Sequence, residues 1–151
     1  MRHMRYRVCK SFEFESGHML SKHGGRCRMP HGHSRRVDIV LSSERLDAND
    51  MVCDFKALKL AVAGLIDAWD HAMAVNSADP AVGTLRESGL GERVIEFENE
   101  DPTTEAMARR IYEAVADAVR AGEPLVDDEG VSYTFPPDIT VERVRLTETP
   151  S

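Results

Sequence analysis

Alternating hydrophobic and polar positions near the N-terminus predict two strands. Phe12 and Phe14 alternate with glutamates over 5–16, as in a strand with one buried face. A loop over 17–30 with two adjacent glycines follows. Alternation resumes over 33–43, where valine, isoleucine and leucine occupy every second position. This order predicts a pair of strands joined by the loop.

The C-terminal half of the chain predicts less regular strands. A short strand is expected over 94–97, after an irregular stretch over 74–93 that contains three glycines and one proline. The last strand is predicted over 139–148. Its apolar phase shifts between Val141 and Val144, which indicates a bulge near the residues between them.

Apolar residues at three- and four-residue spacing predict two helices. The first covers about 55–69 and follows Asp54, whose carboxylate is a favourable N-cap. The second begins at Asp101-Pro102, with the proline at the first helical position. Its apolar stripe consists of Met107, Ile111, Ala114, Val115, Ala118 and Val119.

The order of these elements predicts an α+β fold. Two strands, a helix, a short strand, a helix and a strand suit an antiparallel sheet with both helices on one face. An acidic loop over 122–137 separates the second helix from the last strand. A chain of 151 residues is expected to form one domain over 1–151.

The charge of the chain narrows the classes of partner. The net charge of −7 argues against nucleic acid as a partner. Residues 1–36 carry nine basic and two acidic residues (+7), whereas 37–151 carry ten basic and 24 acidic residues (−14). A basic region on an acidic protein suits a small anionic ligand such as a phosphate ester, although a solvated basic loop gives the same pattern.

The hydrophobic pattern and the cysteines indicate a cytoplasmic protein. No apolar run approaches the roughly 20 residues that span a bilayer, so no membrane partner is expected. The basic N-terminus lacks the apolar stretch of a secretory signal. Three cysteines without an export signal are interpreted as reduced thiols.

The segment from Cys27 to His33 contains the strongest chemical signal. His31 and His33 are two apart on a strand, so both imidazoles point to one face and can bind one metal ion. His18, at the end of the preceding strand, would meet them if the two strands pair. Three histidines leave a fourth position open on zinc, as in catalytic sites. H-x-H pairs also occur as ordinary surface histidines.

Three further residues are candidates for proton transfer. Cys27, beside Arg28, could be a thiolate that acts as a base, a nucleophile or a fourth metal ligand, or a small buried residue. Asp70 can orient His71 and support proton transfer, provided that the first helix ends there. An Asp-His pair at a helix end is also a common capping pattern.

Glu148 ends the last predicted strand in the phase of its apolar residues. A carboxylate there can accept two hydrogen bonds from an amidine-like edge such as that of a pterin. A strand-end glutamate facing water is the alternative.

Together these residues resemble the 6-pyruvoyl tetrahydropterin synthase family. The matching motifs, in chain order, are Phe14 to His18, Cys27-x-x-x-His31-Gly32-His33, Met51-Val52 with Asp54-Phe55, Asp70-His71, Pro102-Thr103-Thr104-Glu105 and Glu148-Thr149. The three-residue gap between Cys27 and His31 is similar to the 6-carboxy-tetrahydropterin synthase branch, which acts in queuosine biosynthesis.

The resemblance implies a tunnelling fold (T-fold) and an oligomer. Trimers of this family close their sheets into a β-barrel, and two trimers stack into a homohexamer with sites at subunit interfaces. Asp70 and His71 could therefore serve a site whose zinc belongs to a neighbouring chain. The chain is longer than compact bacterial members over 74–100 and 121–137, which could reshape the pocket.

The resemblance also implies a lyase that acts on 7,8-dihydroneopterin triphosphate. The implied zinc ligands are His18, His31 and His33. Cys27 would remove a proton as a thiolate, and His71, oriented by Asp70, would assist. The products of this branch are 6-carboxy-5,6,7,8-tetrahydropterin, acetaldehyde and triphosphate.

Substrate contacts follow partly from the resemblance and partly from charge. Glu148 would anchor the pterin ring, helped by Thr104 and Thr149. The expected triphosphate contacts are the basic loop residues Lys22, Arg26 and Arg28.

Three alternatives stay open. The enzyme could be a 6-pyruvoyl-type synthase or act on another pterin, the chain could be a non-catalytic zinc- or pterin-binding module, or the zinc could be structural. Cys27, Asp70 and His71 favour an enzyme, because a binding module needs no proton-transfer groups.

Overall fold

The structure, a computed structural model, describes residues 3–148. Seven strands and three α-helices make up this part of the chain. The strands are β1 (Tyr6–His18), β2 (His31–Ser43), β3 (Ala72–Asn76), β4 (Val94–Phe97), β5 (Leu125–Val126), β6 (Ser132–Tyr133) and β7 (Thr140–Thr147). The helices are α1 (Phe55–Trp69), α2 (Val82–Leu85) and α3 (Thr104–Ala121).

Five strands form one sheet in the order β4-β3-β1-β2-β7, and β5 and β6 form a separate antiparallel pair. β1 and β2 run in opposite directions, since Ser11 bonds Asp38 (2.5 Å) and Ser34 bonds Glu15 (2.8 Å). β3 runs parallel to both β1 and β4. The predicted α+β class is confirmed, and the sheet is mixed rather than antiparallel throughout.

The parallel pairs arise from β3, a strand that the hydrophobic pattern did not predict. Four of its five residues are buried, so the alternation that marks a strand with one solvated face is missing. α1 lies between β2 and β3 in the chain and provides the long connection that a parallel pairing requires.

Side-chain caps fix where the two long helices begin. The backbone N–H of Lys56 donates to the Asp54 carboxylate (2.8 Å), as the sequence predicts. At α3 the cap is Thr103, whose hydroxyl accepts from the N–H of Ala106 (3.1 Å). The helix therefore starts at Thr104, and Pro102 precedes the cap instead of occupying the first helical position.

The described chain divides into two compact units, each made of three segments. The first contains 3–12, 37–64 and 109–145; the second contains 13–36, 65–108 and 146–148. The first unit buries the apolar residues Val37, Ile39, Leu41, Leu58, Val62, Ile111 and Val115. Every candidate site residue within 3–148 lies in the second unit.

The second unit has two groups of apolar side chains. On one face of the sheet Trp69 packs between Phe14 and Phe97, with ring centroids 6.3 and 5.9 Å apart. A separate buried cluster joins β3 and β4 to the segment that contains α2; its members are Met19, Val75, Val82 and Val94. Within residues 3–148, none of the helices combines the length and apolar character needed to cross a bilayer.

Candidate metal centre and adjoining cavity

Three histidines meet where β1 ends and β2 begins. His18 is the last residue of β1, and His31 and His33 are the first and third residues of β2. One ring nitrogen from each lies within 4.8 Å of the other two, and the Nε2 atoms of His18 and His33 are 3.2 Å apart. The structure thus brings together the three residues that the spacing singled out.

A glycine permits the close approach of the strands beside this cluster. A Cβ atom at Gly17 would lie 2.7 Å from the terminal methyl carbon of Met73 and 3.3 Å from the carbonyl oxygen of His31. Both distances are shorter than ordinary contacts, so a side chain here would displace its neighbours. Glycine at this position allows the start of β2, with its histidines, to lie close to the end of β1.

Backbone carbonyls orient two of the imidazoles. The Nδ1 atom of His18 lies 2.8 Å from the carbonyl oxygen of Pro102, and Nδ1 of His31 lies 2.7 Å from that of Met29. A carbonyl can only accept, so each Nδ1 carries the hydrogen and each Nε2 carries a lone pair. Such outer hydrogen bonds are typical of metal-binding histidines.

Burial favours the neutral forms of His18 and His33. His18 is fully buried, and desolvation lowers its pKa to about 4, although the bond to the Pro102 carbonyl partly opposes this and the charge of Arg35 adds to it. Desolvation also lowers the pKa of His33, against the attraction of Glu148. Neutral imidazole is the form that binds metal ions, so His18 and His33 are in their ligand form at pH 7.

These features fit a metal ion. Within residues 3–148, His18, His31 and His33 form the group of ligand atoms close enough to share one ion. Three imidazole nitrogen donors suit zinc and related divalent ions, and three protein ligands leave a position for another molecule. The cluster could therefore hold a metal in an open, reactive arrangement.

Arg35, which the sequence analysis placed only in a basic stretch, is a central residue of this region. Its side chain is 1% exposed. Nε donates to the hydroxyl of Ser16 (2.8 Å), and Nη1 donates to the hydroxyl of Thr104 (3.1 Å). The sequence held a usable signal, because Arg35 shares the alternation phase of the buried Val37 and Ile39.

Glu148 directly follows β7 and lies beside His33. Oε1 accepts from the Thr104 hydroxyl (2.8 Å), and Oε2 lies 3.9 Å from Nε2 of His33. The hydrogen bond from Thr104 is the main cause of a lowered Glu148 pKa, and the charge of Arg35 adds to it. The carboxylate is therefore ionised and oriented next to the candidate metal centre.

The Asp70–His71 pair forms as predicted. α1 ends at Trp69, and Nδ1 of His71 lies 3.0 Å from Oδ1 of Asp70. The same oxygen accepts from the backbone N–H of Glu15 (2.9 Å), and this bond is the largest cause of the lowered pKa of Asp70. The carboxylate thus holds a fixed position from which it orients the imidazole.

Arg93, the residue directly before β4, contacts the same end of α1. Its guanidinium donates to the carbonyl oxygen of Asp67, in the last turn of α1, and to those of Asp70 and His71, which follow the helix. These carbonyls lack intrahelical partners. The sequence pattern did not mark Arg93, because its contact with the end of α1 depends on how the irregular stretch before β4 folds.

A cavity of about 630 Å³ adjoins both sets of candidate residues. His33 and His71 both line it, together with Glu15, Arg93 and apolar side chains such as Met73 and Leu90. A volume of this size accommodates a bicyclic organic molecule. One member of the histidine cluster, His33, and one member of the Asp70–His71 pair, His71, therefore face one shared space.

The loop residues lie at the surface. Cys27 is half-buried in a short helical turn, Arg26–Arg28, and does not belong to the ligand group of the three histidines. Lys22, Arg26 and Arg28 are exposed. No bond of their side chains to the histidines is seen within residues 3–148. Thr149 lies outside the described residues.

Comparison with known proteins gives one consistent family. Residues 7–151 match the family model described as 6-pyruvoyl tetrahydropterin synthase. Among curated relatives, a protein of Synechocystis sp. named 6-carboxy-5,6,7,8-tetrahydropterin synthase is 33% identical over 116 residues, which cover 74% of this chain and 75% of the relative. Several other relatives at about 30% identity carry the same name.

Solved structures show the same fold. An uncharacterised protein of Wolinella succinogenes superposes with a TM-score of 0.77 at 21% identity, over 97% of this chain and 94% of the other. The 6-pyruvoyl tetrahydropterin synthase of Plasmodium falciparum gives a TM-score of 0.66 at 16% identity, over 97% and 93% of the two chains. The predicted T-fold is therefore confirmed.

Proposed function

Because the chain belongs to the 6-pyruvoyl tetrahydropterin synthase family, we propose that it is a zinc-dependent carbon–oxygen lyase that forms 6-carboxy-5,6,7,8-tetrahydropterin. In the proposed reaction, 7,8-dihydroneopterin triphosphate and water give this product, acetaldehyde and triphosphate. The names of the curated relatives support the product. The convergence of three imidazoles beside a cavity is the observation that carries the proposal.

The proposed metal ligands are the Nε2 atoms of His18 and His33 and a ring nitrogen of His31. Their geometry supports zinc, because the carbonyls of Pro102 and Met29 fix the orientation of two rings. A zinc ion there would polarise a substrate oxygen and make the neighbouring C–H more acidic. The chain's own contribution is to hold three unprotonated nitrogens in place and to leave one position for the substrate.

Proton transfer is assigned to Cys27, Asp70 and His71. Cys27, as a thiolate, takes the proton from the activated carbon. Asp70 accepts a hydrogen bond from Nδ1–H of His71, which leaves Nε2 of that imidazole to take or give a proton during loss of triphosphate. The position of His71 in the wall of the cavity supports this role.

Substrate binding is assigned to two groups of residues. Glu148 anchors the amidine edge of the pterin through its carboxylate, helped by Thr104 and Thr149. The exposed side chains of Lys22, Arg26 and Arg28 bind the triphosphate. We further propose the homohexamer of the family, in which two trimers stack and sites lie between subunits, and a place in cytoplasmic queuosine biosynthesis.

A turnover assay tests the reaction. Zinc-loaded protein is incubated with 7,8-dihydroneopterin triphosphate and the products are measured by mass spectrometry, beside Cys27→Ala and the matched control Cys9→Ala, an exposed cysteine on β1. We expect 6-carboxy-5,6,7,8-tetrahydropterin and acetaldehyde from the unaltered protein and from Cys9→Ala. Cys27→Ala should lose at least about a hundredfold in kcat, the usual scale for a proton-transfer group.

Other outcomes of this assay are equally informative. Triphosphate release without acetaldehyde would contradict the proposed product and indicate a 6-pyruvoyl-type elimination. Bound zinc without turnover of any kind would indicate a binding module. Full activity in Cys27→Ala would remove Cys27 from the mechanism.

A further inference from the structure

Glu148 lies between two competing partners. One carboxylate oxygen accepts from the Thr104 hydroxyl (2.8 Å), and the other lies 3.9 Å from Nε2 of His33. Ligand atoms of a tetrahedral zinc ion lie about 3.4 Å apart, given bonds of about 2.1 Å. Glu148 does not belong to the histidine ligand group. It is nevertheless close enough to join a metal that the histidines bind.

A fourth protein ligand would change the character of the site. Zinc with four protein ligands is closed and structural, whereas zinc with three is open to substrate. A carboxylate that binds the metal also loses lone pairs that would otherwise bind the ligand's N–H groups. The proposed function therefore requires that Glu148 stay off the metal.

A buried hydrogen-bond chain supplies that restraint. Arg35 is anchored on Ser16 through Nε and donates from Nη1 to the oxygen of Thr104. Because this oxygen accepts from Arg35, its own hydrogen is directed to Glu148. The guanidinium is almost fully buried, so its direction is fixed, and its charge attracts the carboxylate.

We propose that Arg35 and Thr104 are positioning residues that hold Glu148 outside the coordination sphere of the metal and so keep the fourth position open for the substrate. This inference rests on the proposed metal site. It gives Arg35 a role. Without that role, a buried positive charge beside the histidines would only repel a metal ion and weaken its binding.

Cobalt(II) in place of zinc makes the coordination visible. In Thr104→Val, a near-isosteric change that removes the hydroxyl, Glu148 should become a fourth ligand. We expect a changed ligand-field absorption spectrum and, by competition with a chelator, metal affinity raised on the order of tenfold. Thr104→Ser keeps the hydroxyl and should match the unaltered protein in both measurements.

Two more variants attribute the effect to Glu148 and Arg35. The double variant Thr104→Val with Glu148→Gln should return to the spectrum and affinity of the unaltered protein, since an amide is a poor zinc ligand. Arg35→Lys keeps the charge but cannot bridge Ser16 and Thr104 together, so it should shift the spectrum in the direction of Thr104→Val. If Arg35→Lys fails to fold, the Thr104 variants still decide.

The outcomes separate this inference from the proposed function. If the unaltered protein binds cobalt through the histidines, so that His31→Ala weakens binding, and Thr104→Val changes neither spectrum nor affinity, the inference is wrong and the metal site stands. A changed spectrum in Glu148→Gln alone would show that Glu148 is already a ligand and would also overturn it. Absence of cobalt and zinc binding in the unaltered protein would overturn both.

Discussion

His71 has a backbone conformation that few residue types adopt easily. Its φ of 57° lies in the left-handed region, at the junction between α1 and β3. Its N–H donates to the carbonyl of Glu15 (2.6 Å), and this hydrogen bond to β1 holds the backbone in that conformation. Histidine, asparagine and aspartate occupy this region more readily than other non-glycine residues. His71 therefore combines a structural role with its proposed chemical one.

Two substitutions of His71 separate these roles. Asparagine tolerates the left-handed conformation, so His71→Asn should change the free energy of unfolding by less than about 0.5 kcal/mol yet abolish proton transfer. His71→Ala should lose activity and in addition about 1 kcal/mol of stability. Urea unfolding and turnover measure the two effects. Equal stability of both variants would show that the backbone conformation costs nothing, and full activity in His71→Asn would exclude His71 as the proton-transfer group.

At this scale the sequence predicted the residues whose chemistry depends on local spacing. His31 and His33 share a face because they are two apart on a strand. Asp70 reaches His71 because α1 ends at Trp69, directly before the pair. Arg35 was not recognised, because an arginine with arginine and serine neighbours looks like a solvated residue. Its burial depends on Ser16 and Thr104, which are far away in the chain.

The C-terminal end of α1 depends on a side chain from a distant part of the chain. Arg93 donates to three carbonyl oxygens around this end, those of Asp67, Asp70 and His71. The C-terminal end of a helix carries partial negative charge, so a guanidinium there is favourable. The contact also ties the segment before β4 to the Asp70–His71 pair.

Replacing Arg93 should therefore loosen this helix end. We expect Arg93→Ala to lower the free energy of unfolding by about 1 kcal/mol, because the contact is exposed to solvent and charge-assisted hydrogen bonds are screened there. Hydrogen exchange of the backbone N–H groups of Asp70 and His71 should become faster. Arg86→Ala, which removes only an ion pair with Glu96, is the matched control and should leave this exchange unchanged. Unchanged exchange in Arg93→Ala would show that the cap is dispensable.

Elements with a strong period were predictable, and elements set by distant contacts were not. The sequence predicted α1 over 55–69 and β4 over 94–97, and the structure has these bounds. The start of α3 was misplaced by two residues because Thr103, not Asp101, caps the helix. β3 was missed because burial on both faces removes its alternation.

At the scale of the whole molecule, the candidate site belongs to one compact unit assembled from three separate segments. The single domain expected from the length of the chain stays a prediction. A local pattern could not show how contacts divide the chain, because β1, β2, α1, α3 and β7 each pass from one unit to the other. The division depends on which distant segments pair, and period and composition do not specify that.

The stability of the metal-free protein should fall as the pH is lowered from about 6.5 to 4. In the unfolded chain His18 takes up a proton near pH 6.5, whereas in the folded protein burial lowers its pKa to about 4. Between these values the unfolded state binds more protons, so acid favours unfolding by up to roughly 3 kcal/mol, and the effect levels off below pH 4. Urea unfolding at pH 7 and pH 4.5 measures the loss. His18→Gln should reduce it, while His23→Gln, at an exposed loop histidine, should not. An equal loss in both variants would show that groups other than His18 cause the acid sensitivity.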